Sequence, residues 1–345
     1  MKRSSIILLL LFLFMTLLAG CKKEEEASSQ EGITSHKLQI GLSFDSFVIE
    51  RWQRDRDVFV STAQELGAEV NVQNANGDIN EQITQIEYLI KKNVDVIVLV
   101  AGDSDKLGGV LKKAKEEGII VIAYDRLVYN ADVDLYISFD NEEVGKLMAK
   151  TMVDQLPAGS NIVTIFGPTS DNNVILAEQG FNSVLEKSDI NVVYSVYAKN
   201  WIAEEAFDAV NTALTMNPDI KGVMCGNDNL ATEAVRALSE NRLAGKVVLT
   251  GQDADLAACQ RIVEGTQTMT VYKPVDQLAK AAAEYAVKLV EKRKLDVGVT
   301  INDGTYEVPY VKLEPVAVTK DNIYHTIIEG GFQLEDEVYL NVPRE

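Results

Sequence analysis

Histidine and cysteine are nearly missing from this chain. Of 345 residues, two are histidine and three are cysteine. His36 lies in a polar N-terminal stretch and His325 near the C-terminus, so no zinc set can be assembled from them, and neither metal nor cofactor is expected. No Cys-x-x-Cys is present. Cys225 ends an apolar strand and Cys259 lies on the helix after the next strand. An exported protein could join them, but two buried free thiols, packing as small hydrophobes, are the expected state. Gly-x-Ser-x-Gly, Walker and Gly-x-Gly-x-x-Gly loops are absent, which removes the common nucleophile-elbow and nucleotide-binding readings. Basic charge is also short: 33 Lys and Arg face 52 Asp and Glu, a formal net charge of −19. Nucleic acid needs a basic footprint and is excluded as a partner.

What is present begins with an address. Lys2-Arg3 precedes the mostly apolar run Ile6–Leu18, 13 residues long and well short of the ~20 that a spanning helix needs. Residues 1–20 therefore read as a secretory signal. Leu18-Ala19-Gly20-Cys21 resembles a bacterial lipobox, which implies a lipidated Cys21 as the mature N-terminus. Residues 21–36 are charged and small, too polar to bury a core, and read as a disordered tether. The folded part is expected outside the cytoplasm, attached to the membrane through Cys21.

From Lys37 apolar strands alternate with amphipathic helices. Strands are expected at Leu38–Ser43, Ala68–Gln73, Val96–Val100 and Ile119–Tyr124. The helices between them carry their apolar residues at helical spacing, as in Ile83, Ile86, Leu89 and Ile90. The same rhythm then repeats, and strands this apolar are buried on both faces, as in parallel sheets. The fold class is α/β, with two doubly wound parallel-sheet lobes joined by a multi-strand hinge. The expected N-terminal lobe is 37–143 plus 275–310, and the C-terminal lobe 144–274 plus 311–333, with 334–345 as a tail. The long helix from Val275 to about Leu295 is expected to return to the first lobe, and the short strands Pro309–Leu313 and Pro315–Val318 to cross to the second.

Polar residues gather where the strands end. Tyr124 runs into Asp125-Arg126, Phe139 into Asp140-Asn141, Gly226 into Asn227-Asp228-Asn229, and Gly251 into Gln252-Asp253-Ala254-Asp255. Open α/β sheets bind ligands outside the carboxyl ends of their strands. Carboxylates, amides and guanidinium groups converging there suit hydroxyls, so a small polyol is the expected ligand. Asp253 is expected to face the cleft, while Asp255 caps the helix that begins at Leu256. Arg51-Trp52 and Lys199-Asn200-Trp201 bring both tryptophans to strand-to-helix loops, where a flat ring can cover the apolar face of a sugar. Asp171-Asn172-Asn173 occupies another such loop, and Lys273-Pro274 ends a strand at a turn or hinge point.

Several of these runs, in order and spacing, resemble one family. They are Glu50-Arg51-Trp52-Gln53-Arg54-Asp55-Arg56-Asp57, Ala123-Tyr124-Asp125-Arg126, Tyr136-Ile137-Ser138-Phe139-Asp140-Asn141-Glu142, Asp171-Asn172-Asn173, Gly251-Gln252-Asp253-Ala254-Asp255 and Gly265–Pro274. The chain is similar, from about Lys37 to Phe332, to the D-xylose-binding proteins of bacterial ABC sugar importers, of the type I periplasmic binding protein fold. The resemblance implies a sugar pocket between the lobes. Arg51, Asp125 and Arg126 would bond hydroxyls from the first lobe, with Trp52 beside the sugar. Asp171, Asn173, Asn227, Asp253 and Lys273 would do so from the second lobe and hinge, with Trp201 on the ring. Phe47 and the loops Ala101-Gly102-Asp103-Ser104 and Phe166-Gly167-Pro168-Thr169 depart from the family pattern.

The function implied is capture of an aldopentose, D-xylose first, for an ABC permease. The alternative is a sensor that presents its closed form to a membrane sensor kinase or chemoreceptor. An enzyme is not expected. Asp125 and Asp253 could pair on a glycosidic bond, but Arg51, Arg126 and Lys273 would hold the carboxyls ionised and hinder a general acid. A sugar-responsive repressor would need a DNA-reading headpiece, and an export signal stands there instead.

Overall fold

The computed structural model describes residues 37–295 and 297–343. The signal segment, Cys21 and the tether lie outside the described residues. Thirteen strands form two sheets. The first sheet begins with β1 (Gln39–Phe44), β2 (Glu69–Asn74), β3 (Val96–Leu99), β4 (Ile120–Tyr124) and β5 (Leu135–Phe139). Between them run α1 (Arg51–Glu65), α2 (Ile79–Lys91) and α3 (Gly108–Glu116). The second sheet holds β6 (Asn161–Phe166), β7 (Asn191–Tyr197), β8 (Ile220–Cys225), β9 (Val248–Gln252) and β10 (Met269–Tyr272). Its helices are α4 (Asn141–Gln155), α5 (Asn172–Leu185), α6 (Glu204–Met216), α7 (Asp228–Glu240) and α8 (Leu256–Glu264). Then α9 (Val275–Val290) returns to pack on α1 of the first lobe.

The remaining strands are β11 (Thr300–Asn302), β12 (Glu307–Leu313) and β13 (Val316–Val318). The first sheet has the order β11-β12-β5-β4-β3-β1-β2 and the second β13-β10-β9-β8-β6-β7. Pairing is parallel throughout except at β11–β12 and β10–β13. β3, with four apolar residues, is wholly buried, whereas the edge strands β2 and β7 stay partly exposed. Strand order reverses between β1 and β3 and between β6 and β8, and the loops at those switch points face the cleft.

The chain passes between the sheets at Asp140-Asn141, at Lys273-Pro274 and at Glu314-Pro315. The second crossing brings α9 to the first lobe, as expected. The third lies later than expected. Residues 309–313 do not cross: β12 pairs in parallel with β5, with Tyr310 opposite Tyr136 and Leu313 opposite Phe139. Tyr310 stacks on Tyr136 at 4.7 Å and donates its hydroxyl to the Phe139 carbonyl at 2.9 Å, which holds the strand on this edge. Only β13 reaches the second sheet. The expected tail is also docked, since α10 (Glu335–Val338) packs on α8 and Gln260 Nε2 donates to the Glu337 carbonyl at 2.8 Å.

Two glycines set the approach of α4 and α5. A Cβ at Gly145 would fall 1.8 Å from the Ala177 carbonyl oxygen, and one at Gly180 would fall 1.9 Å from that of Glu142. Backbone contact this close fixes the N-terminus of α5, and with it Asn173, beside Asn141 at the first crossing. Both Cys225 and Cys259 are buried and free, as expected.

Candidate functional site

Asp125 and Asp253 occupy matching places. Each follows the last residue of a strand and turns the chain with positive φ, 65° at Asp125 and 100° at Asp253. Each N–H donates to the neighbouring strand at 2.8 Å, to the Ile137 carbonyl in one lobe and to that of Val271 in the other. The Asp125 carbonyl is held further by Ser138 Oγ at 2.6 Å and Tyr136 OH at 3.0 Å. Left-handed backbone is strained for aspartate, and such strain persists where surrounding bonds over-determine it. The turn aims both carboxylates across the cleft.

Around them the charges interlock. Arg51, at the start of α1, lies 2.9 Å from Asp125 through Nη2 and 3.7 Å from Asp253 through Nη1. Lys273 Nζ lies 2.8 Å from Asp253. Arg126 reaches Asp45 and Asp171 at 2.7 Å each. Asn173 Nδ2 donates to Asp125 Oδ1 at 2.8 Å, and Trp201 Nε1 to Asp171 Oδ2 at 3.3 Å. The Trp52 ring lies under the Arg51 guanidinium at 4.4 Å.

All ten residues singled out in the sequence, Arg51, Trp52, Asp125, Arg126, Asp171, Asn173, Trp201, Asn227, Asp253 and Lys273, line one cavity. Ile49 and Gln252 complete its wall. Each lining residue is buried, yet six polar atoms among them have no hydrogen-bond partner: Arg51 Nη1, Trp52 Nε1, Asp125 Oδ2, Asn227 Nδ2, Gln252 Oε1 and Asp253 Oδ1. Of these, Asp125 Oδ2 and Asp253 Oδ1 are held by charge, 2.9 Å from Arg51 Nη2 and 2.8 Å from Lys273 Nζ. Unmatched buried donors and acceptors are costly, and a ligand that pairs with them recovers that cost.

Charge at the site follows from its neighbours. Burial opposes the charged forms, but Arg51, Lys273 and Arg126 outweigh it at Asp125, whose carboxyl sits below its usual range. Burial works against Arg51 too, and Asp125, Asp55 and Asp253 more than restore its proton. At Asp171 burial prevails over Arg126, and its pKa is raised. An ionised Asp125 is poorly suited to donate a proton to a leaving group, in line with a binding role.

Several supporting residues were not among the site residues expected from the sequence. Asp55, four residues along α1, grips Arg51 Nε at 3.2 Å and Nη2 at 3.0 Å, and takes the hydroxyl of Tyr124. The signal was an Arg–Asp pair at i, i+4 on a helix that enters a cleft. Asn141 Nδ2 donates to Asn173 Oδ1 at 2.9 Å, and Gln252 is the last residue of its strand. One expectation fails. Asp255 stands at the N-cap position of α8, but its side chain accepts no cap hydrogen bond, while its backbone N–H donates to Asp228 Oδ2 at 3.2 Å. Among the described residues no cluster suits a metal ion, and no helix is long and apolar enough to cross a membrane.

Comparison with known proteins agrees with this architecture. The family described as periplasmic binding protein domain matches residues 40–294. The D-xylose-binding periplasmic protein of Haemophilus influenzae is 47% identical over 310 residues, covering 88% of this chain and 93% of the relative. The protein of that name from Escherichia coli is 45% identical over 307 residues, with the same coverage. A carbohydrate transporter solute-binding protein from Chloroflexus aurantiacus, solved with D-glucose, superposes with a TM-score of 0.80 at 26% identity, covering 87% of this chain and 98% of its own. The chain belongs to the periplasmic binding protein family, in its two-lobed type I form, and within it to the extracytoplasmic, non-catalytic sugar-binding proteins of ABC importers, closely related to those that bind D-xylose.

Proposed function

We propose that this chain captures D-xylose, or a closely similar aldopentose, between its lobes and delivers it to the permease of an ABC importer. The carrying observation is the set of six buried polar atoms without a hydrogen-bond partner among the residues that line one cavity. Arg51, Asp125, Arg126, Asp171, Asn173, Asn227, Asp253 and Lys273 are the proposed hydroxyl partners. Trp52 and Trp201 are the apolar faces. A sugar with a missing or inverted hydroxyl leaves one of the buried groups unpaired, which gives the pocket its selectivity. Among residues outside the proposed set, Gln252 joins it through its free Oε1.

Calorimetric titration of the chain with D-xylose tests this, with L-arabinose, D-ribose and D-glucose as controls. Tight one-to-one binding of xylose is expected, and no heat with any pentose would refute the assignment. Membrane attachment through a lipidated Cys21 is the second part of the proposal, supported by Leu18-Ala19-Gly20-Cys21 and the polar stretch that follows. In the native host Cys21→Ala should move the protein from the membrane fraction to the soluble one. No feature of the site favours presentation to a sensor kinase over delivery.

A further inference from the structure

The loop after β3, which departs from the family pattern, meets across the cleft the residues that follow the other departing loop. Ala101-Gly102-Asp103-Ser104 follows β3, and Phe166-Gly167-Pro168-Thr169 follows from β6 into the turn before α5. The Ser104 N–H donates to the Ser170 carbonyl at 3.0 Å, and Ser104 Oγ accepts the Asn172 N–H at 3.4 Å. Tyr129, between β4 and β5, is fastened to the same spot: its N–H donates to the Ser104 carbonyl at 2.8 Å. Its hydroxyl then donates across the cleft to Asn172 Oδ1 at 2.5 Å. Ser104 and Asn172 are buried, and Asn172 Nδ2 has no partner. Ser104, Tyr129, Ser170 and Asn172 are all absent from the lining of the sugar cavity.

Resting on the sugar-capture reading above, we propose that Ser104, Tyr129, Ser170 and Asn172 form a closure clasp that sets affinity for every sugar the cavity accepts without taking part in the choice among them. The bonds run from the first lobe to the second, so they exist only while the lobes are together. They bias the open–closed equilibrium and nothing else. A change in that equilibrium multiplies every apparent dissociation constant by the same factor. A cavity residue acts differently, because it meets particular hydroxyls and its loss changes the ratio between sugars. Tyr129 is the stronger lever of the set. Without its hydroxyl the buried Asn172 amide loses the partner of its Oδ1 while its Nδ2 already lacks one.

The test compares wild-type full chain with Tyr129→Phe by calorimetry against D-xylose, L-arabinose and D-ribose, with dissociation followed by stopped flow. Tyr129→Phe should bind each accepted sugar about fivefold more weakly, with unchanged ratios and faster release. Asn172→Ala should weaken binding similarly, and the double variant should lose little more than either single one. Unchanged affinity and release in Tyr129→Phe would overturn the clasp, and so would a shift in the xylose-to-arabinose ratio. If the wild type binds no pentose, the sugar reading fails on its own account. Small-angle scattering of the sugar-free chains then tests the clasp separately: Tyr129→Phe should have the larger radius of gyration, and equal radii would refute it.

Discussion

Two buried polar clusters lie side by side in this protein, and they are built to opposite rules. One surrounds the cleft, where Arg51, Asp125, Asp253 and Lys273 stand within ion-pair distance yet six polar atoms of the lining have no hydrogen-bond partner. The other lies inside the second lobe, around Asp228 and Arg261. Asp228 accepts from Gln267 Nε2 at 2.8 Å, Thr270 Oγ1 at 2.7 Å and the Asp255 N–H at 3.2 Å. Arg261 donates to Gln267 Oε1 and Thr232 Oγ1 at 2.9 Å each. No side-chain atom of Asp228, Arg261 or Gln267 is left unpaired. The second cluster is closed upon itself and joins α7, α8 and β10. The first is open towards a cavity. Burial and charge alone do not separate a binding site from a scaffold, but the state of satisfaction does.

The comparison predicts opposite losses from equivalent truncations. Asp253→Ala strands Lys273 and removes a cavity acceptor, so xylose affinity should fall about 100-fold or more in calorimetry. Asp228→Ala leaves Gln267 Nε2, Thr270 Oγ1 and the Asp255 N–H without their acceptor and the nearby Arg261 charge without its carboxylate, a loss of about 3–5 kcal/mol. Thermal unfolding should drop by roughly 10 °C, with xylose affinity in the folded fraction nearly kept. If Asp228→Ala abolished binding and left stability intact, the division between the clusters would collapse.

Asn227 belongs to both worlds and sharpens the comparison. Its Oδ1 caps α7 by accepting the Leu230 N–H at 2.9 Å, while its Nδ2 faces the cavity unpartnered. Asn227→Ser keeps a good cap and deletes the free donor. Affinity for xylose should weaken about tenfold, while the melting temperature stays within about 1 °C. A large loss of stability without loss of affinity would mean that the cap is the residue's whole role.

Much of the cleft was legible because strand-end position is a local property. Asp125, Asn227 and Asp253 each follow an apolar run, and parallel sheets bring such ends to one edge. The open state of the cleft cluster was not legible, since it depends on angles between side chains far apart in sequence. Asp55 and Asn141 were missed for a related reason: they act on Arg51 and Asn173, not on the cavity. The crossing of residues 309–313 was misplaced because Glu-Val-Pro-Tyr-Val-Lys-Leu suits either sheet edge. The stack of Tyr310 on Tyr136, 174 residues earlier, decides it. Asp255 had the right residue type at the right place for a cap, but its side chain makes no cap bond.

The smallest predicted effect concerns pH in the closed cluster. Burial pushes the Asp228 carboxyl up to about 7, beyond what Arg261 and its hydrogen bonds restore. In the unfolded chain an aspartate titrates near 3.9. Between about pH 4 and 7 the folded chain therefore holds more protons than the unfolded one, and stability falls as pH rises through that window. The contribution is fully present below the unfolded value and is gone above about pH 7. Asp125 titrates on the other side, below the usual carboxylate range, so it leaves this window undisturbed. Asn at 228 imitates the protonated acid, with an amide that can donate to Thr270 Oγ1. Asp228→Asn should thus flatten the fall in melting temperature between pH 5 and 7.5, leaving it about 2 °C or more above wild type at the upper end. Its xylose affinity should stay within about twofold, because the residue lies behind the cavity wall. A melting curve that keeps the wild-type pH slope would mean that Asp228 remains ionised in its closed cluster, balanced by Arg261 more fully than its burial allows.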